Sequence, residues 1–239
     1  MLYSVKHIVV TVAIFANGFL IGLGKPSNQS LLFLLAYDGF RPVDIRPELA
    51  PTLYELAQKG IWAREGMLPQ HPTITAPNLY AIISGLYEES SGIVDNVFWD
   101  PVFEEMYDYW NATENTTLHE GSLDSKWYSG SPIWVVNDRQ NSHRHSGLMR
   151  YPFCDVEGFE STYCVPWIDY GDLESWKEDF DTMLSWYLDD RHPINLGLFY
   201  VSQPDHAEHA FPLNSSNVAD VIKDLDNLTN YIINCFKEV

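Results

Sequence analysis

The sequence predicts an α/β fold in which a parallel or mixed sheet carries helices on its faces. Two short apolar runs, residues 31–38 and 194–201, have the length and composition of strands buried on both sides. Segments with helical periodicity lie between and after them. Alternation of strands and helices favours this class, and such sheets bind ligands at the carboxyl ends of their strands.

Two helices are predicted in the first third of the chain. Residues 50–60 have Pro51 near the first helical position and Gly60 at the end, which are common start and stop signals of a helix. Residues 76–85 repeat this pattern, with Thr75 in the position of an N-cap. Both segments therefore read as helices that pack against the sheet.

The remaining elements are less uniform. Residues 171–189 read as a helix, and from Asn217 onward apolar residues recur at steps of three and four, which predicts an amphipathic helix. Residues 131–137 fit a short helix or a strand equally well. Residues 100–131 are aromatic and polar, and we expect them to form a surface excursion.

Composition and charge narrow the classes of function. The chain has 239 residues, of which 46% are hydrophobic and 20% are charged, as in one large globular domain or a tight pair. A net charge of −19 argues against an extended nucleic-acid interface, since nucleic-acid-binding proteins are normally basic. A small phosphate ester remains a suitable ligand if metal ions supply positive charge locally.

The first 24 residues read as a targeting segment. A weakly positive start precedes the apolar stretch 8–24, which ends in a small-x-small pattern of the kind that signal peptidases cleave. Our main interpretation is a cleaved signal peptide, and an uncleaved amino-terminal anchor is the alternative. Either way, residues 25–239 would face the secretory lumen or the outside, so the protein is expected to be secreted, extracellular or anchored at the cell surface.

Sequons and cysteines agree with a secreted protein. Five sites fit the N-glycosylation pattern: Asn28, Asn111, Asn115, Asn214 and Asn227. Among the three cysteines, Cys154 and Cys164 bracket a short loop and could form a disulfide. Cys235 would then lack a partner within the chain.

Potential metal ligands follow both predicted strands. Asp38 stands directly after the first strand, where it could bind a cation or simply belong to an Asp-Gly turn. Asp205 and His209 follow the second strand at spacing i, i+4, so a helical turn would place both on one face and let them share a metal. His206 and Glu208 would then point elsewhere, in a solvated polar loop.

Thr75 is the candidate nucleophile. At the start of a helix its hydroxyl would lie beside free backbone N–H groups and the positive end of the helix dipole, a location that stabilises anions. A hydroxyl that also touches a divalent metal loses its proton more easily and could attack phosphorus. The ordinary alternative is a plain N-cap, and Thr73 is the second candidate for the nucleophile.

Several motifs together resemble the nucleotide pyrophosphatase/phosphodiesterase family of the alkaline phosphatase superfamily, over most of residues 30–239. They occur in family order: YDGFR (37–41), APTLYELAQKG (50–60), PTITAPNLYAIISGLYEESSGIVDN (72–96), WDP (99–101), SPIWVVN (131–137), CDVEGFESTYC (154–164), PDHAEH (204–209) and DLDNL (224–228). The resemblance implies an alkaline-phosphatase-like sheet with helices on both faces. It also implies two zinc ions in the complete enzyme.

The resemblance assigns roles to individual residues. Asp38 looks like a ligand of one zinc ion, and Thr75 like the nucleophile that bridges to it. Asn96 looks like the side chain that hydrogen-bonds a phosphoryl oxygen. Asp205 and His209 look like ligands of the second zinc. Tyr163 occupies the place of an aromatic residue that lines the substrate pocket.

The implied reaction is a two-step phosphoryl transfer on a small-molecule phosphodiester or pyrophosphate. Thr75 would form a phosphothreonine diester, and activated water would release it. Ala76 stands where nucleotide-preferring relatives often carry Phe, so nucleotides and choline-type lipid phosphodiesters both remain candidate substrates. Nothing in the sequence indicates an obligate protein partner.

The expected ligand set is incomplete. Each zinc ion of the family also takes ligands from a later Asp-His pair and a later His, which do not follow the DLDNL segment here. We therefore interpret residues 25–239 as the amino-terminal portion of a phosphodiesterase catalytic domain, with an apparently truncated sheet. The alternative is a catalytically incomplete secreted glycoprotein or binding module.

Overall fold

The computed structural model describes residues 10–16, 27, 29–109, 120–168 and 171–238. The strands are β1 (Val10–Ala16), β2 (Leu31–Tyr37), β3 (Val97–Asp100), β4 (Glu105–Asp108), β5 (Ser146–Met149), β6 (Tyr163–Val165) and β7 (Leu196–Val201). The helices are α1 (Pro51–Lys59), α2 (Thr75–Ser84), α3 (Glu88–Ser91), α4 (Glu120–Leu123), α5 (Ile133–Gln140), α6 (Leu173–Tyr187), α7 (Asp205–Ala210) and α8 (Ser216–Glu238). Two short 3₁₀ turns lie at Pro42–Asp44 and Ser125–Trp127.

The main sheet has five strands in the order β1-β2-β7-β5-β6. β2, β7, β5 and β6 are mutually parallel, and β1 pairs antiparallel with β2. The two strands predicted from the apolar runs are confirmed as β2 and β7, and they are neighbours. Tyr37 pairs with Val201. Because these are the last residues of both strands, Asp38 and the segment that begins α7 emerge at the same edge.

Each face of the sheet is covered by a separate hydrophobic core. Alternate residues of β2 serve the two sides, as strand geometry requires: Phe33, Leu35 and Tyr37 pack with α1, α6 and α8, whereas Ala36 packs with α2 and α5. The predicted α/β sheet with helices on both faces is therefore confirmed.

The predicted helices are confirmed, with one change at a boundary. Residues 131–137 fitted a helix or a strand equally well in the sequence, and most of them lie in helix α5, which begins at Ile133. The amphipathic carboxyl-terminal segment is α8, whose inward positions are at most 1% exposed: Val218, Ile222, Leu225, Leu228 and Ile232. Thr75 is the first residue of α2 and Ile74 the N-cap, so Thr75 is not the cap that we expected.

Residues 100–131 are not only a surface excursion. Within the described part, β3 and β4 form a hairpin whose Phe98 and Tyr107 stack with ring centroids 4.8 Å apart. Tyr107 is fully buried and Trp127 is 4% exposed. The prediction was wrong here because it rested on the polar composition of the segment. Aromatic and polar residues alternate along the hairpin, and this two-residue period directs the aromatic rings towards the core.

Residues 10–16 of the predicted targeting segment form β1 on the edge of β2, and the rest of residues 1–24 lies outside the described residues. The signal peptide or anchor therefore stays a prediction. No helix in the described ranges combines the length and the hydropathy needed to cross a bilayer.

The predicted disulfide is present, since Cys154 and Cys164 are bonded, and Cys235 is a free thiol on α8. Of the five sequons, Asn28, Asn111 and Asn115 lie outside the described residues, while Asn214 and Asn227 are exposed. Glycosylation remains a prediction at all five.

Candidate active site

Asp38 lies at the point where the two central strands end. Its backbone N–H donates to the Val201 carbonyl at 3.0 Å, and its own carbonyl accepts the Asp205 N–H at 3.0 Å. Gly39 follows with φ of 72°, and a Cβ there would come within 2.8 Å of the Asp205 Cα. Glycine thus permits the loops after β2 and β7 to touch, which brings two of the predicted ligands together.

The Asp38 carboxylate is buried and accepts two side-chain hydrogen bonds at the same oxygen. Its Oδ2 accepts the Tyr200 hydroxyl at 2.7 Å and the Thr75 hydroxyl at 3.4 Å. Burial, followed by the negative charge of Asp205, raises the pKa of Asp38 to about 6, while the bonds from Tyr200, Gly39 and Thr75 oppose that rise. A cation beside the two carboxylates would relieve their repulsion.

Thr75 and Asn96 meet at the amino-terminal end of α2. The Ala76 N–H donates to Asn96 Oδ1 at 2.7 Å, and the Asn96 carbonyl accepts the Tyr109 N–H at 2.8 Å. The predicted nucleophile and the predicted phosphoryl-binding side chain are therefore adjacent. Because the Asn96 oxygen is held by a backbone donor, its amide nitrogen keeps its two N–H groups for another acceptor.

Asp205 and His209 lie on one face of α7, as their spacing predicted. The His209 Nε2 is 3.4 Å from Asp205 Oδ2. The His209 side chain is 70% exposed and that of Asp205 is 22% exposed, so the pair is accessible from solvent. Their geometry matches two donors facing one ion, whereas His206 is exposed on the same short helix.

Glu208 does not belong to a solvated loop, and that expectation was wrong. Its side chain is 1% exposed and lies 3.5 Å from Arg41 Nε. Arg41 also donates to both carboxylate oxygens of Asp44, at 2.7 and 3.1 Å, and to the Leu213 carbonyl at 3.2 Å. Burial raises the pKa of Glu208 to about 7, against the opposing charge of Arg41.

Two buried tyrosines near Asp38 were missed by the sequence analysis. Tyr200 lies one residue before the end of β7, and Tyr151 contacts its ring edge-on at a centroid distance of 6.2 Å. The Tyr151 hydroxyl is buried without a hydrogen-bond partner among the described residues. Tyr200 counts as apolar in the pattern of β7, and Tyr151 lies in the loop after β5, so sequence periodicity did not mark either one as a neighbour of Asp38.

Tyr163 is not brought to this cluster. It begins β6 opposite Gly147, which pairs with Gly197 and so lies level with Phe33. Phe33 lies four residues, or about 13 Å, before Tyr37 at the end of β2. Tyr163 instead stacks on Trp186 of α6 with centroids 5.2 Å apart. Tyr163 thus lies apart from the Asp38 cluster, and its role as a pocket-lining residue stays a prediction.

The described donors form two pairs, fewer at each ion than zinc usually takes. Carboxylate oxygen and imidazole nitrogen are ligands that zinc takes, usually four at a time. Asp38 with Thr75 supplies one pair, and Asp205 with His209 supplies the other. Within the described ranges, no three His, Cys, Asp or Glu side chains cluster in a way that would hold a metal ion.

The sequence profile described as "Type I phosphodiesterase / nucleotide pyrophosphatase" matches residues 32–239. Bis(5'-adenosyl)-triphosphatase enpp4 of Mus musculus is 30% identical over 219 residues, which are 89% of this chain and 44% of the mouse protein. Human ectonucleotide pyrophosphatase/phosphodiesterase family member 5 is 28% identical, over 90% of this chain and 42% of its own length.

Solved structures give the same result. Murine ectonucleotide pyrophosphatase/phosphodiesterase 5 superposes with a TM-score of 0.73 at 27% identity, over 85% of this chain and 51% of that one. An inactive threonine-to-alanine variant of the murine protein, in complex with AMP, gives a TM-score of 0.72. The chain thus spans about half the length of the relatives it matches, with the expected alkaline-phosphatase-like fold. It belongs to the type I phosphodiesterase / nucleotide pyrophosphatase family.

Proposed function

We propose that residues 25–239 form the amino-terminal portion of the catalytic domain of a secreted, metal-dependent phosphodiesterase or pyrophosphatase. Thr75 is its nucleophile. The observation that carries this proposal is the position of the Thr75 hydroxyl, at the amino-terminal end of α2 and 3.4 Å from Asp38 Oδ2. Nucleotides or related phosphodiesters are the substrates.

The chain's own residues perform the first transfer as follows. Thr75 Oγ1 gives up its proton and forms a bond to phosphorus while the bond from phosphorus to the leaving oxygen breaks. The leaving oxygen takes up a proton, and a phosphothreonine diester remains. Asp38 orients the attacking hydroxyl by accepting its hydrogen bond. The Asn96 NH₂ group, whose amide oxygen is held by the Ala76 N–H, and the positive end of the α2 dipole stabilise the charge that develops on the phosphoryl oxygens. Water then cleaves the Thr75–phosphorus bond and restores the hydroxyl.

Zinc is the proposed metal, with Asp38 and Thr75 at one ion and Asp205 and His209 at the other. When bound, two such ions would lower the pKa of the nucleophile and stabilise negative charge on the attacking and leaving oxygens. The closeness of the buried Asp38 carboxylate to Asp205 supports a cation here, since a positive charge would offset both the burial and the repulsion that raise the pKa of Asp38.

A nucleotide substrate is supported by the relatives. The murine structural neighbour binds AMP in an inactive variant, and the mouse relative is named for cleaving bis(5'-adenosyl) triphosphate. Ala76 is fully buried, so a nucleobase would need a stacking partner elsewhere. A choline-type lipid phosphodiester is the alternative substrate, and the net charge of −19 supports a small ligand over an extended nucleic acid.

The test is hydrolysis of a nitrophenyl nucleotide diester by the full chain in the presence of zinc. We expect little turnover by residues 25–239 alone and zinc-dependent release of nitrophenol once the rest of the catalytic domain is joined to them, which Thr75→Ala abolishes and the neighbouring Thr73→Ala retains. Equal turnover by the joined protein and its Thr75→Ala variant would contradict the proposal. Nitrophenylphosphocholine, assayed in parallel, separates the nucleotide and choline-type substrates.

The second candidate is a catalytically incomplete secreted glycoprotein that retains the binding half of the site. It is favoured by the finding that each proposed metal position draws two donors from the described residues, against about four in stable zinc sites. Calorimetric titration with AMP discriminates the two functions. Binding of AMP without turnover at any zinc concentration supports the second candidate.

A further inference from the structure

Two histidines lie together at the edge of the main sheet opposite to that of Asp38. His145 directly precedes β5, and His192 lies four residues before β7. Because β5 and β7 are parallel, their amino-terminal ends share one edge, whereas Asp38 follows the carboxyl-terminal end of β2. The two imidazole rings are nearly perpendicular, at 82°, with centroids 5.0 Å apart. His145 is partly buried and His192 is exposed. The pair is a cluster of titratable groups that the proposed reaction does not use.

Asp138 and Thr162 fix the orientation of the His145 ring. The Thr162 hydroxyl donates to Asp138 Oδ2 at 3.0 Å, and its oxygen is 3.0 Å from His145 Nδ1. A hydroxyl has a single proton to donate, so His145 Nδ1 is the donor in the second bond. Asp138 also accepts the Thr162 N–H at 3.1 Å and the Ser146 hydroxyl, which keeps the carboxylate in place. Acid therefore adds its proton to His145 at Nε2, in a ring that cannot turn away from His192 without losing its bond.

The surroundings of His145 oppose its protonation. Burial is the largest cause and the nearby His192 the second, and together they lower the pKa of His145. The Asp138 carboxylate and the Ser142 backbone act in the other direction, and His143 adds a smaller lowering. The native chain thus holds this proton less tightly than the unfolded chain does. The contribution of His145 to stability therefore falls as the pH drops below the ordinary value of about 6.5.

The other charged neighbours of the pair are held by bonds of their own. Asp189, in the turn after α6, accepts the backbone N–H groups of Arg191 and His192 at 2.8 and 2.7 Å. These bonds stay the same when the imidazole gains a proton, and the carboxylate also attracts a charged His192. Arg144 Nη1 donates to the side-chain oxygen of Asn137 at 3.2 Å. The loop that carries His192 is thus anchored, so charge on the two rings acts between fixed positions.

The junction of β5 and β7 lies directly beside the two rings. The His145 carbonyl accepts the N–H groups of Asn195 and Leu196 at 2.9 and 3.3 Å. The His145 N–H donates to the Asn195 side-chain oxygen at 3.0 Å. Because like charges repel, protonation of both rings strains these three hydrogen bonds, which join the segment before β5 to the start of β7.

We propose that His145 and His192 form an acid-sensitive contact: neutral rings let the segments before β5 and β7 pack together, and protonation of both rings loosens the hydrogen bonds at the start of β7. Histidine clusters act as pH sensors in this way, because an ordinary imidazole gains its charge as the pH falls towards about 6. The inference does not depend on the proposed function, since neither substrate nor metal takes part in it.

Hydrogen exchange of the full chain measures the contact. It is followed by NMR at low ionic strength, at about pH 7.5 and about pH 5.5, and is corrected for intrinsic exchange rates. We expect the protection of the Asn195 and Leu196 amides to fall by at least about fourfold at the lower pH, the factor that corresponds to two unit charges 5.0 Å apart in water. His192→Gln removes one of the two charges and should abolish the fall. His143→Gln is the matched control, since it removes an exposed histidine from the same segment as His145, and the fall should remain.

Three results would overturn the proposal: unchanged protection of both amides, a fall that persists in His192→Gln, and a fall that His143→Gln also removes. If exchange at these amides is too fast to follow, NMR titration of the His145 ring protons decides instead. His192→Gln should raise the pKa of His145, because it removes the second cause that lowers it. A pKa that stays the same in this variant would show that the two rings are not coupled.

Discussion

Substitution of Glu208 by glutamine should make the stability of the chain less sensitive to alkaline pH. The Glu208 side chain is 1% exposed, and its charged neighbour Arg41 already donates two hydrogen bonds to Asp44. Glu208→Gln keeps the size of the side chain and removes its charge. The ion pair of Arg41 with Asp44 remains, so the arginine is not left without a partner.

The magnitude follows from the pKa of Glu208, which burial raises from 4.5 to about 7. A raised pKa means that the native state holds the proton more tightly than the unfolded chain does, so the contribution of Glu208 to stability falls as the pH rises from 4.5 through about 7. The rise in the pKa of Glu208 corresponds to a loss of about 3 kcal/mol of unfolding free energy once the group is ionised in both states. Most of it, about 2–3 kcal/mol, is expected to develop between pH 5 and pH 8.

Urea denaturation at these two pH values, with a chelator present, measures the effect. Relative to the wild type, Glu208→Gln should gain about 2–3 kcal/mol in unfolding free energy between pH 5 and pH 8. Glu48→Gln, at an exposed position, is the matched control and should show no such gain. A constant difference between wild type and Glu208→Gln at both pH values would refute the argument that Glu208 is a buried, destabilised carboxylate.

Three further predictions concern the site and its support. Gly39→Ala should cost at least ~2 kcal/mol of unfolding free energy, because the new Cβ would combine a positive φ with a 2.8 Å backbone contact. Gly158→Ala, which has a positive φ but open space around it, should cost about 1 kcal/mol. Equal costs in urea denaturation would contradict the close approach of the two loops. Joint replacement of Cys154 and Cys164 by alanine should cost about 2–3 kcal/mol for a separation of 10 residues, and an unchanged Tm would contradict this. Asn96→Asp retains the oxygen that accepts the Ala76 N–H and replaces the donating NH₂ group with a charged oxygen, so kcat for the nitrophenyl diester should fall by about a hundredfold with little change in Tm. A wild-type kcat would exclude a role for Asn96 at the phosphoryl group.

The elements that sequence reasoning placed correctly are those whose pattern is local. The apolar runs of β2 and β7 and the periodicity of α8 fixed the sheet and its covering helices. Because parallel strands end at one edge, the meeting of Asp38 with Asp205 followed from these runs alone. The spacing of Asp205 and His209 likewise predicted a shared helix face.

The features that escaped prediction depend on contacts between distant parts of the chain. Glu208 is buried because Arg41, far earlier in the sequence, lies against it, and no local pattern distinguishes it from a solvated glutamate. Tyr200 is an apolar residue by periodicity, and only the tertiary fold shows that its hydroxyl reaches Asp38. The distance of Tyr163 from the Asp38 cluster was hidden for the same reason, since a motif gives the order of residues but not the register of β6.

The identity of the nucleophile is the central claim, and trapping the covalent intermediate tests it most directly. The full chain is mixed with zinc and a nitrophenyl nucleotide diester, quenched in acid within the first turnover, digested and examined by mass spectrometry. We predict a nucleotidyl adduct on Thr75, in the peptide that also contains Thr73, with fragmentation assigning the added mass to Thr75. An adduct on Thr73 or on any other residue, or turnover that persists in Thr75→Ala, would contradict the account.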